Sequence, residues 1–347
     1  MLIINHISCL FFNNYINWPA RLIEKNKKIV YKYNERKSEE NMNYIKIIDG
    51  KSYLPQNEIS NEEIESEFKL KKDFIKSRTG IEKRYYAKDE KIEDMAVNAV
   101  VQMNAEKLED IGLIIVATTS SNNAMPGISN YIQKKLKIEK CICLDIFAGC
   151  SGFINAFDIA KLYIETGKIE KALVVGVDKL SSTIDKDDIG TMAVLSDGAG
   201  AILIEKSDIK KEYVSNIKAE IDEKNILNYK IGEKIQMNGK EVYKYAVTNP
   251  VKNVKQLLQK SNEKIENIKY IIPHQSNLKI MNAIAKKLEI SQDKVYCNIQ
   301  EVGNTFCASI PIAISEMIDK KILNENEKII LLGYGGGLNT GSILLEI

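Results

Sequence analysis

The amino-acid sequence predicts an α/β fold built from two similar halves. Near-continuous apolar runs along the chain are typical of strands that are buried on both faces. The order of strands, polar turns and helices in the first half recurs in the second half, which indicates an internal duplication. The pattern begins at Met42 and continues to the last residue, and a chain of 347 residues is long enough for two halves that each carry a core.

Six apolar runs rich in β-branched residues indicate strands. They are residues 111–117, 171–177, 199–204, 268–272, 328–333 and 341–347. Because these runs have no polar face, helices are expected to cover both sides of the sheets that they form.

The duplication is clearest in the polar residues that follow these strands. In the first half, a strand ends at Thr118 and Thr119, and about thirty residues further on Cys150 leads into an apolar helix. In the second half, a strand ends at His274, and a similar distance further on Asn304 leads into another apolar helix. Polar residues at matching places in two halves are expected to converge where the halves meet, and ligand sites favour such interfaces.

Residues 1–41 differ from the rest of the chain. Their start is apolar, but it has neither a basic segment nor a small-residue cleavage site, so a signal peptide is not predicted. A Glu-Glu pair just before Met42 can be encoded GAG GAG, which resembles a bacterial ribosome-binding site. Our hypothesis is that Met42 is the native start and 1–41 a non-native leader; a native, disordered extension is the alternative. N-terminal sequencing distinguishes them. The predicted halves are then 42–215 and 216–347.

Composition narrows the classes of function. The net charge is +2, which gives no overall field for nucleic acid or membrane, and no apolar run approaches the roughly 20 residues of a spanning helix. Six scattered cysteines lack a disulfide framework, which favours reduced thiols in the cytoplasm. Cys141 and Cys143 are too close for a usual zinc knuckle and are predicted to lie in a buried strand. No metal site is predicted.

Cys150 and His274 are the first candidates for chemistry. Cys150 lies between small residues just before a helix, where the helix dipole favours the thiolate and is expected to lower the thiol pKa. A buried structural cysteine is the alternative. His274 ends a buried strand, where an imidazole can donate a hydrogen bond to a carbonyl; a hydrogen-bonded core histidine is the alternative. The only other histidine is His6.

Asn304 and a triple-glycine turn complete the candidate site. Asn304 begins an apolar helix, and its amide can donate a second hydrogen bond; a plain helix cap is the alternative. The backbone N–H groups of Gly335, Gly336 and Gly337 can face an oxyanion, while an ordinary loop is the alternative.

Taken together, the motifs resemble the β-ketoacyl-acyl-carrier-protein synthase III family of thiolase-fold condensing enzymes. They occur in the family's order at residues 77–81 with Arg84, 148–153, 196–201, 273–277, 303–305 and 335–337. The resemblance covers about residues 43–347. It implies a thiolase-like fold, in which duplicated α/β halves form a layered α-β-α-β-α arrangement.

The resemblance also implies a reaction. Cys150 would take an acetyl or other short-chain acyl group from an acyl-CoA thioester, with the oxyanion held by its own N–H and one from the triple-glycine turn. His274 and Asn304 would stabilise the enolate formed when malonyl-acyl carrier protein (malonyl-ACP) loses CO2. The product is a 3-oxoacyl-ACP, which initiates fatty acid synthesis. The family needs no metal or redox cofactor and is a cytoplasmic homodimer.

The departures from the family concentrate at the CoA-binding end. Arg78 matches a CoA-binding arginine, but Phe74 stands where a tryptophan stacks on adenine, and Ile189 stands where an arginine is common. Phe74 can still stack on one face of the adenine base. The arginine that would contact the other face of the base is absent. An acyl donor other than CoA, such as an acyl-ACP, is therefore an alternative.

Carrier-protein docking is also implied. Lys279 matches a basic family position linked to docking of the acidic carrier protein, and Lys286 and Lys287 on the same predicted helix extend this basic patch. For the latter two residues, a solvated helix face is the alternative reading.

Further departures affect substrate choice rather than reaction type. Asn339 and Thr340 replace the usual Thr-Trp pair, and Phe306 and Cys307 stand where smaller residues are usual, so the acyl pocket is expected to differ. The alternatives are a related starter synthase or acyltransferase of specialised, polyketide-like metabolism, a catalytically silent thiolase-fold partner, and a hydrolase in which His274 is the base.

Overall fold

The structure is a computed structural model that describes residues 43–347, so the predictions about residues 1–41 and about Met42 as the start lie outside the described part. The strands within that part alternate with helices along most of the chain. The strands are β1 (Tyr44–Tyr53), β2 (Glu58–Ser60), β3 (Lys83–Tyr85), β4 (Leu113–Ala117), β5 (Ile142–Ile146), β6 (Lys171–Asp178), β7 (Gly198–Ser207), β8 (Tyr213–Ala219), β9 (Leu227–Asn228), β10 (Gln236–Met237), β11 (Ile268–Pro273), β12 (Lys328–Gly335) and β13 (Asn339–Glu346).

The helices range in length from 4 to 14 residues. They are α1 (Asn61–Glu67), α2 (Phe74–Thr79), α3 (Ile92–Val100), α4 (Ile128–Leu136), α5 (Gly152–Glu165), α6 (Ile189–Met192), α7 (Gly239–Ala246), α8 (Asn249–Ser261), α9 (Leu278–Leu288), α10 (Ile299–Val302) and α11 (Ser309–Asp319).

Two sheets repeat the same strand order. The first sheet has the order β1-β7-β6-β4-β5, in which β4 is parallel to β5 and β6, while β6, β7 and β1 pair antiparallel. The second has the order β8-β13-β12-β11, in which β11 and β12 are parallel and β12, β13 and β8 pair antiparallel. The series β1-β7-β6-β4 therefore corresponds strand by strand to β8-β13-β12-β11, as expected for a duplicated unit.

Helices separate and cover the two sheets. α5 and α11 lie between the sheets, and their residues share one hydrophobic core with both of them. Both helices are apolar on nearly every side, which is typical of fully buried helices. α3 and α4 pack on the outer face of the first sheet, and α8 and α9 on the outer face of the second. This α-β-α-β-α arrangement confirms the predicted thiolase-like fold.

The apolar runs predicted as strands correspond to β4, β6, β7, β11, β12 and β13. The strand near Cys141 differs from the prediction, because β5 is the edge of its sheet and Cys141 and Cys143 are only half-buried there. The proposed boundary at residue 216 falls inside β8, which belongs to the second sheet. Among the described residues, no helix is both long and apolar enough to cross a membrane.

Candidate active site

Cys150 lies at the junction of two cavities. It is the middle residue of a 3-10 turn, Gly149–Ser151, that joins β5 to α5, and only 5% of its surface is exposed. The first cavity has a volume of about 200 Å³ and the second of about 480 Å³, and Cys150 lines both of them. A group bound to the Cys150 sulfur can therefore extend into either space.

His274 directly follows β11 and is held on three sides. Its backbone N–H donates to the carbonyl of Leu332 at 2.8 Å, and the Tyr334 hydroxyl donates to the carbonyl of His274 at 3.2 Å. Its Nδ1 lies 2.7 Å from Oγ of Ser309, and the imidazole meets the Tyr334 ring edge-on at 5.4 Å between centroids. The imidazole is thus fixed, with its remaining nitrogen directed to the first cavity that His274 lines.

Asn304 is anchored by contacts across the two halves. Its N–H donates to the carbonyl of Val194 and its own carbonyl accepts from the N–H of Ser196, both at 2.9 Å. The N–H of Phe306 donates to Oδ1 of Asn304 at 3.1 Å. Because Oδ1 is engaged, the Nδ2 end of the amide is the donor that Asn304 offers to the first cavity.

Cys150, His274 and Asn304 therefore line one cavity, to which the first half contributes the cysteine and the second half the other two. Cys150 and His274 each follow a strand, whereas Asn304 lies between α10 and the 3-10 turn that precedes α11. All three are buried, so a reaction between them is shielded from water.

The triple-glycine turn packs against the Cys150 turn. The backbone N–H groups of Gly336 and of Cys150 both act to lower the pKa of the Cys150 thiol, so both face its sulfur. Nδ2 of Asn339 donates to the carbonyls of Gly336, at 3.0 Å, and Ala148, at 3.3 Å. Asn339, one of the departures noted above, thus ties the two turns together and keeps both N–H groups converging on one point.

Burial dominates the ionisation of the site. It raises the pKa of the Cys150 thiol to about 12, with Asp178 adding to the increase, although the N–H groups of Gly336 and Cys150 act in the opposite direction. The expectation that the helix N-terminus lowers this pKa is therefore wrong for the free protein. Burial also lowers the pKa of His274 to about 3, so the imidazole is neutral at physiological pH.

The lowered pKa of His274 predicts how stability varies with pH. An unfolded histidine takes up a proton near pH 6.5, whereas folded His274 does so only near pH 3. The unfolded state therefore binds more protons in this interval, and the free energy of unfolding should fall as pH decreases from about 7 to 5. Urea unfolding at several pH values measures this slope. The His274→Gln variant should show a shallower slope, and an identical slope would contradict the assignment.

Gly335 is expected to be indispensable, because a Cβ at this position would lie 2.7 Å from Cβ and 3.1 Å from N of Cys150. Gly335→Ala should displace the Cys150 turn and lower the acylation rate at least about 100-fold. The matched control is Gly336→Ala, whose Cβ would approach nothing closer than 3.4 Å. Rapid-quench acylation assays compare the two variants. Equal rates would show that the turn tolerates side chains at both positions.

The CoA-end residues lie on the short helix α2. Cζ of Arg78 lies 3.7 Å from the centre of the Phe74 ring, so the guanidinium stacks on the phenyl group itself. Neither residue lines the two cavities, but Nδ2 of Asn277, a residue of the first cavity, donates to the carbonyl of Arg78 at 3.4 Å. Ile189 begins α6 and is half-buried. The α2 segment thus adjoins the first cavity.

The basic patch is exposed on one helix. Lys279, Lys286 and Lys287 all lie on α9, which begins a few residues after His274, and all three are exposed. In the described part of the chain, no group of three or more His, Cys, Asp or Glu side chains is placed to hold a metal ion.

Some cavity residues have no counterpart among the sequence predictions. The β9–β10 hairpin and its flanks provide apolar residues to the cavities: Leu227 and Ile235 line both of them, and Ile226 and Met237 line the first. Its strands are two residues long, too short for any periodic pattern. The only available signal was a set of isolated apolar residues within a polar, glycine-containing stretch.

The fold and this site define a condensing enzyme of the thiolase-fold class. Residues 144–223 match the protein family described as 3-Oxoacyl-[acyl-carrier-protein (ACP)] synthase III, and residues 258–347 match the family described as its C terminal part. These matches, and a relative that is 38% identical and matched over 99% of its length, show that the chain belongs to the β-ketoacyl-[acyl-carrier-protein] synthase III family, and it is therefore an acyl-transferring enzyme.

Individual relatives agree over nearly their whole length. The chain is 38% identical to the β-ketoacyl-[acyl-carrier-protein] synthase III of Clostridium acetobutylicum over 326 residues, covering 88% of this chain and 99% of the relative. The crystal structure of the Aquifex aeolicus enzyme superposes with a TM-score of 0.83 at 36% identity, covering 88% and 100% of the two chains. The Thermus thermophilus structure gives 0.83 at 29% identity, covering 87% and 98%.

Proposed function

We propose that this chain condenses an acyl primer carried by CoA with malonyl-ACP, giving a 3-oxoacyl-ACP that initiates fatty acid synthesis. The observation that carries the proposal is the convergence of Cys150, His274 and Asn304 on one buried cavity. A nucleophile and two neutral hydrogen-bond donors are the groups that acyl transfer followed by enolate formation requires.

In the first half-reaction, the Cys150 sulfur attacks the carbonyl carbon of the acyl thioester. The oxyanion that forms is held by the N–H groups of Cys150 and Gly336, which already converge on the sulfur. Each such donor is worth about 3 kcal/mol in related oxyanion holes. The C–S bond to CoA breaks, the thiol proton leaves with CoA as its free thiol, and Cys150 is left acylated.

In the second half-reaction, malonyl-ACP occupies the space that CoA left. His274 and Nδ2 of Asn304 donate hydrogen bonds to its thioester carbonyl oxygen. Loss of CO2 leaves the electron pair as an enolate on that oxygen, where both donors stabilise it. The enolate carbon then attacks the acyl carbonyl on Cys150, and the C–S bond to the enzyme breaks. The Cys150 thiolate recovers its proton from solvent.

The ionisation of His274 favours condensation over a Cys–His hydrolase. A hydrolase would need the imidazole as a general base towards Cys150. The pKa of about 3 makes His274 a weak base, and its Nδ1 is occupied by Ser309. A neutral imidazole that donates one hydrogen bond suits the enolate-stabilising role better.

The second cavity is the proposed acyl chamber. It opens beside Cys150 and is lined mainly by apolar side chains, among them Phe147, Leu227, Ile235 and Phe306. Phe306 also lines the first cavity and so stands between the two spaces. We propose that the first cavity takes the pantetheine arm and that Phe306 limits how the acyl chain enters the second.

We propose Arg78 and Phe74 as CoA contacts and the α9 lysines as the docking surface for an acidic carrier protein. The stacking of Arg78 on Phe74 already uses one face of the phenyl ring. Weak binding of adenine would favour the alternative that the acyl donor is an acyl-ACP and that the enzyme is a starter synthase of specialised metabolism.

We further propose that the enzyme is a cytoplasmic homodimer joined along β5. This strand is the edge of the first sheet, and next to it Phe147 and Met125 are 57% and 86% exposed in the single chain. A second copy pairing along this edge would cover them. Sedimentation equilibrium should give twice the chain mass, and Phe147→Glu should shift the equilibrium towards monomer. A monomeric parent protein would contradict the proposal.

The decisive test is the intact mass of the protein after incubation with acyl-CoA and acyl-ACP donors of increasing chain length. An acetyl adduct from acetyl-CoA, followed by a 3-oxoacyl product on addition of malonyl-ACP, supports the initiating synthase. Adducts only from other donors would move the protein to the starter-synthase alternative. No adduct from any donor would contradict catalysis and favour a silent partner.

A further inference from the structure

Ser309 contacts the imidazole of His274 from the side opposite the cavity. It is the first residue of the central helix α11 and is buried, with 1% of its surface exposed. Its Oγ lies 2.7 Å from Nδ1 of His274, and it accepts a long hydrogen bond of 3.4 Å from the N–H of Gln275. Within residues 43–347, Oγ of Ser309 has no other hydrogen-bond partner.

The donors and acceptors at this contact select one arrangement of hydrogens. A neutral imidazole carries one N–H and one acceptor nitrogen. The Ser309 hydroxyl carries one hydrogen, and since the Gln275 N–H is itself a donor, the only acceptor available to that hydrogen is Nδ1 of His274. If Nδ1 carried a hydrogen instead, the hydroxyl hydrogen would be buried without an acceptor, which is unfavourable.

We infer that Ser309 is a positioning residue that donates its hydroxyl hydrogen to Nδ1 and thereby keeps the imidazole hydrogen on Nε2, the nitrogen facing the cavity. This inference rests on the proposed function, in which Nε2–H donates to the thioester carbonyl. In the other tautomer a lone pair would face that oxygen, and the enolate would lose one of its two donors. Ser309 therefore acts on the condensation and not on the acylation.

The chain is well suited to a direct spectroscopic test. It contains two histidines, so the His6→Gln variant leaves His274 as the only imidazole. In this full-length variant labelled with 15N-histidine, multiple-bond 1H–15N correlation spectra report which ring nitrogen carries the hydrogen. The expected result is the Nε2–H form alone, and a mixture of both forms after Ser309→Ala is added. The Nδ1–H form in the parent spectrum would overturn the inference.

Kinetics separate a positioning role from a merely structural one. Ser309→Ala should form the acyl-enzyme at the parent rate but lower kcat for condensation by roughly 10- to 100-fold, with KM for malonyl-ACP nearly unchanged. Ser309→Thr, which keeps a hydroxyl, should restore most of the rate. The matched control is Ser315→Ala, since Ser315 is equally buried on α11 and its Oγ has no partner among the described residues.

The outcomes also distinguish this inference from the proposed function. If the parent enzyme does not catalyse the condensation, the proposed function is wrong, while the spectrum still reports the tautomer. If the parent condenses and Ser309→Ala keeps both the parent kcat and the pure Nε2–H form, the inference is wrong. Should Ser309→Ala not fold, the parent spectrum and the Ser309→Thr rate remain decisive.

Discussion

Replacing Cys150 with alanine is expected to abolish both half-reactions. The variant has no nucleophile, so no acyl adduct should form from any donor, and product formation should fall by roughly 10⁶-fold, the scale of losing a catalytic nucleophile. The fold should persist, because alanine is smaller and the turn is held by backbone contacts and by Asn339. Intact-protein mass spectrometry and a product assay with malonyl-ACP measure the two effects.

The control for this experiment is Cys297→Ala. Cys297 is half-buried, contacts Gln300 and lines neither cavity, so its variant should be acylated like the parent. An adduct of the same mass on the Cys150 variant would show that another group carries the acyl chain. In that case the proposed mechanism, in which Cys150 is the nucleophile, would be wrong.

Replacing His274 or Asn304 with alanine is expected to separate the two half-reactions. Each change removes one donor to the enolate oxygen, so condensation should slow by about 10²- to 10³-fold. Acylation should change much less, because the oxyanion of that step is held by the N–H groups of Cys150 and Gly336. Single-turnover assays, with acylation followed by mass and condensation by product, separate the steps.

The pH dependence of condensation adds a second criterion. Since the pKa of His274 is lowered to about 3, its imidazole stays neutral from pH 5 to pH 8, and kcat should show no step near pH 6.5 caused by this residue. If His274→Ala abolished acylation together with condensation, or if such a step were present in the parent and absent in the variant, His274 would act as a base towards Cys150. The hydrolase alternative would then be favoured.

The sequence predicted those parts of the molecule that depend on local pattern. The apolar runs of β4 and β6 and the motifs around Cys150 and His274 can be recognised without knowing their neighbours. The depth of burial cannot, and for this reason the direction of the Cys150 pKa shift was wrong. The helix N-terminus that would lower the Cys150 pKa can be predicted from the sequence. The loss of hydration that raises this pKa more strongly arises only when the two halves pack together.

Contacts between distant segments were also beyond the sequence. Ser309 resembles an ordinary serine at a helix start, and its contact with His274 joins positions 35 residues apart. Asn339 was noted only as a departure, yet it connects the glycine turn to Ala148 across 191 residues. The half-buried state of Cys143 follows from the edge position of β5, which depends on the strand order and not on the strand itself.

The duplication places two cysteines at equivalent points. Cys150 precedes α5 and Cys307 precedes α11, each as the middle residue of a 3-10 turn just before a central helix. The Cys150 sulfur faces the cavities, whereas the Cys307 thiol donates to the carbonyl of Gly149 at 3.1 Å. Each half thus places a thiol just before a central helix. The Cys307 thiol of the second half binds the backbone next to Cys150 in the first half. The turn that carries the nucleophile in the first half is therefore held in place by the residue at the equivalent position of the second half.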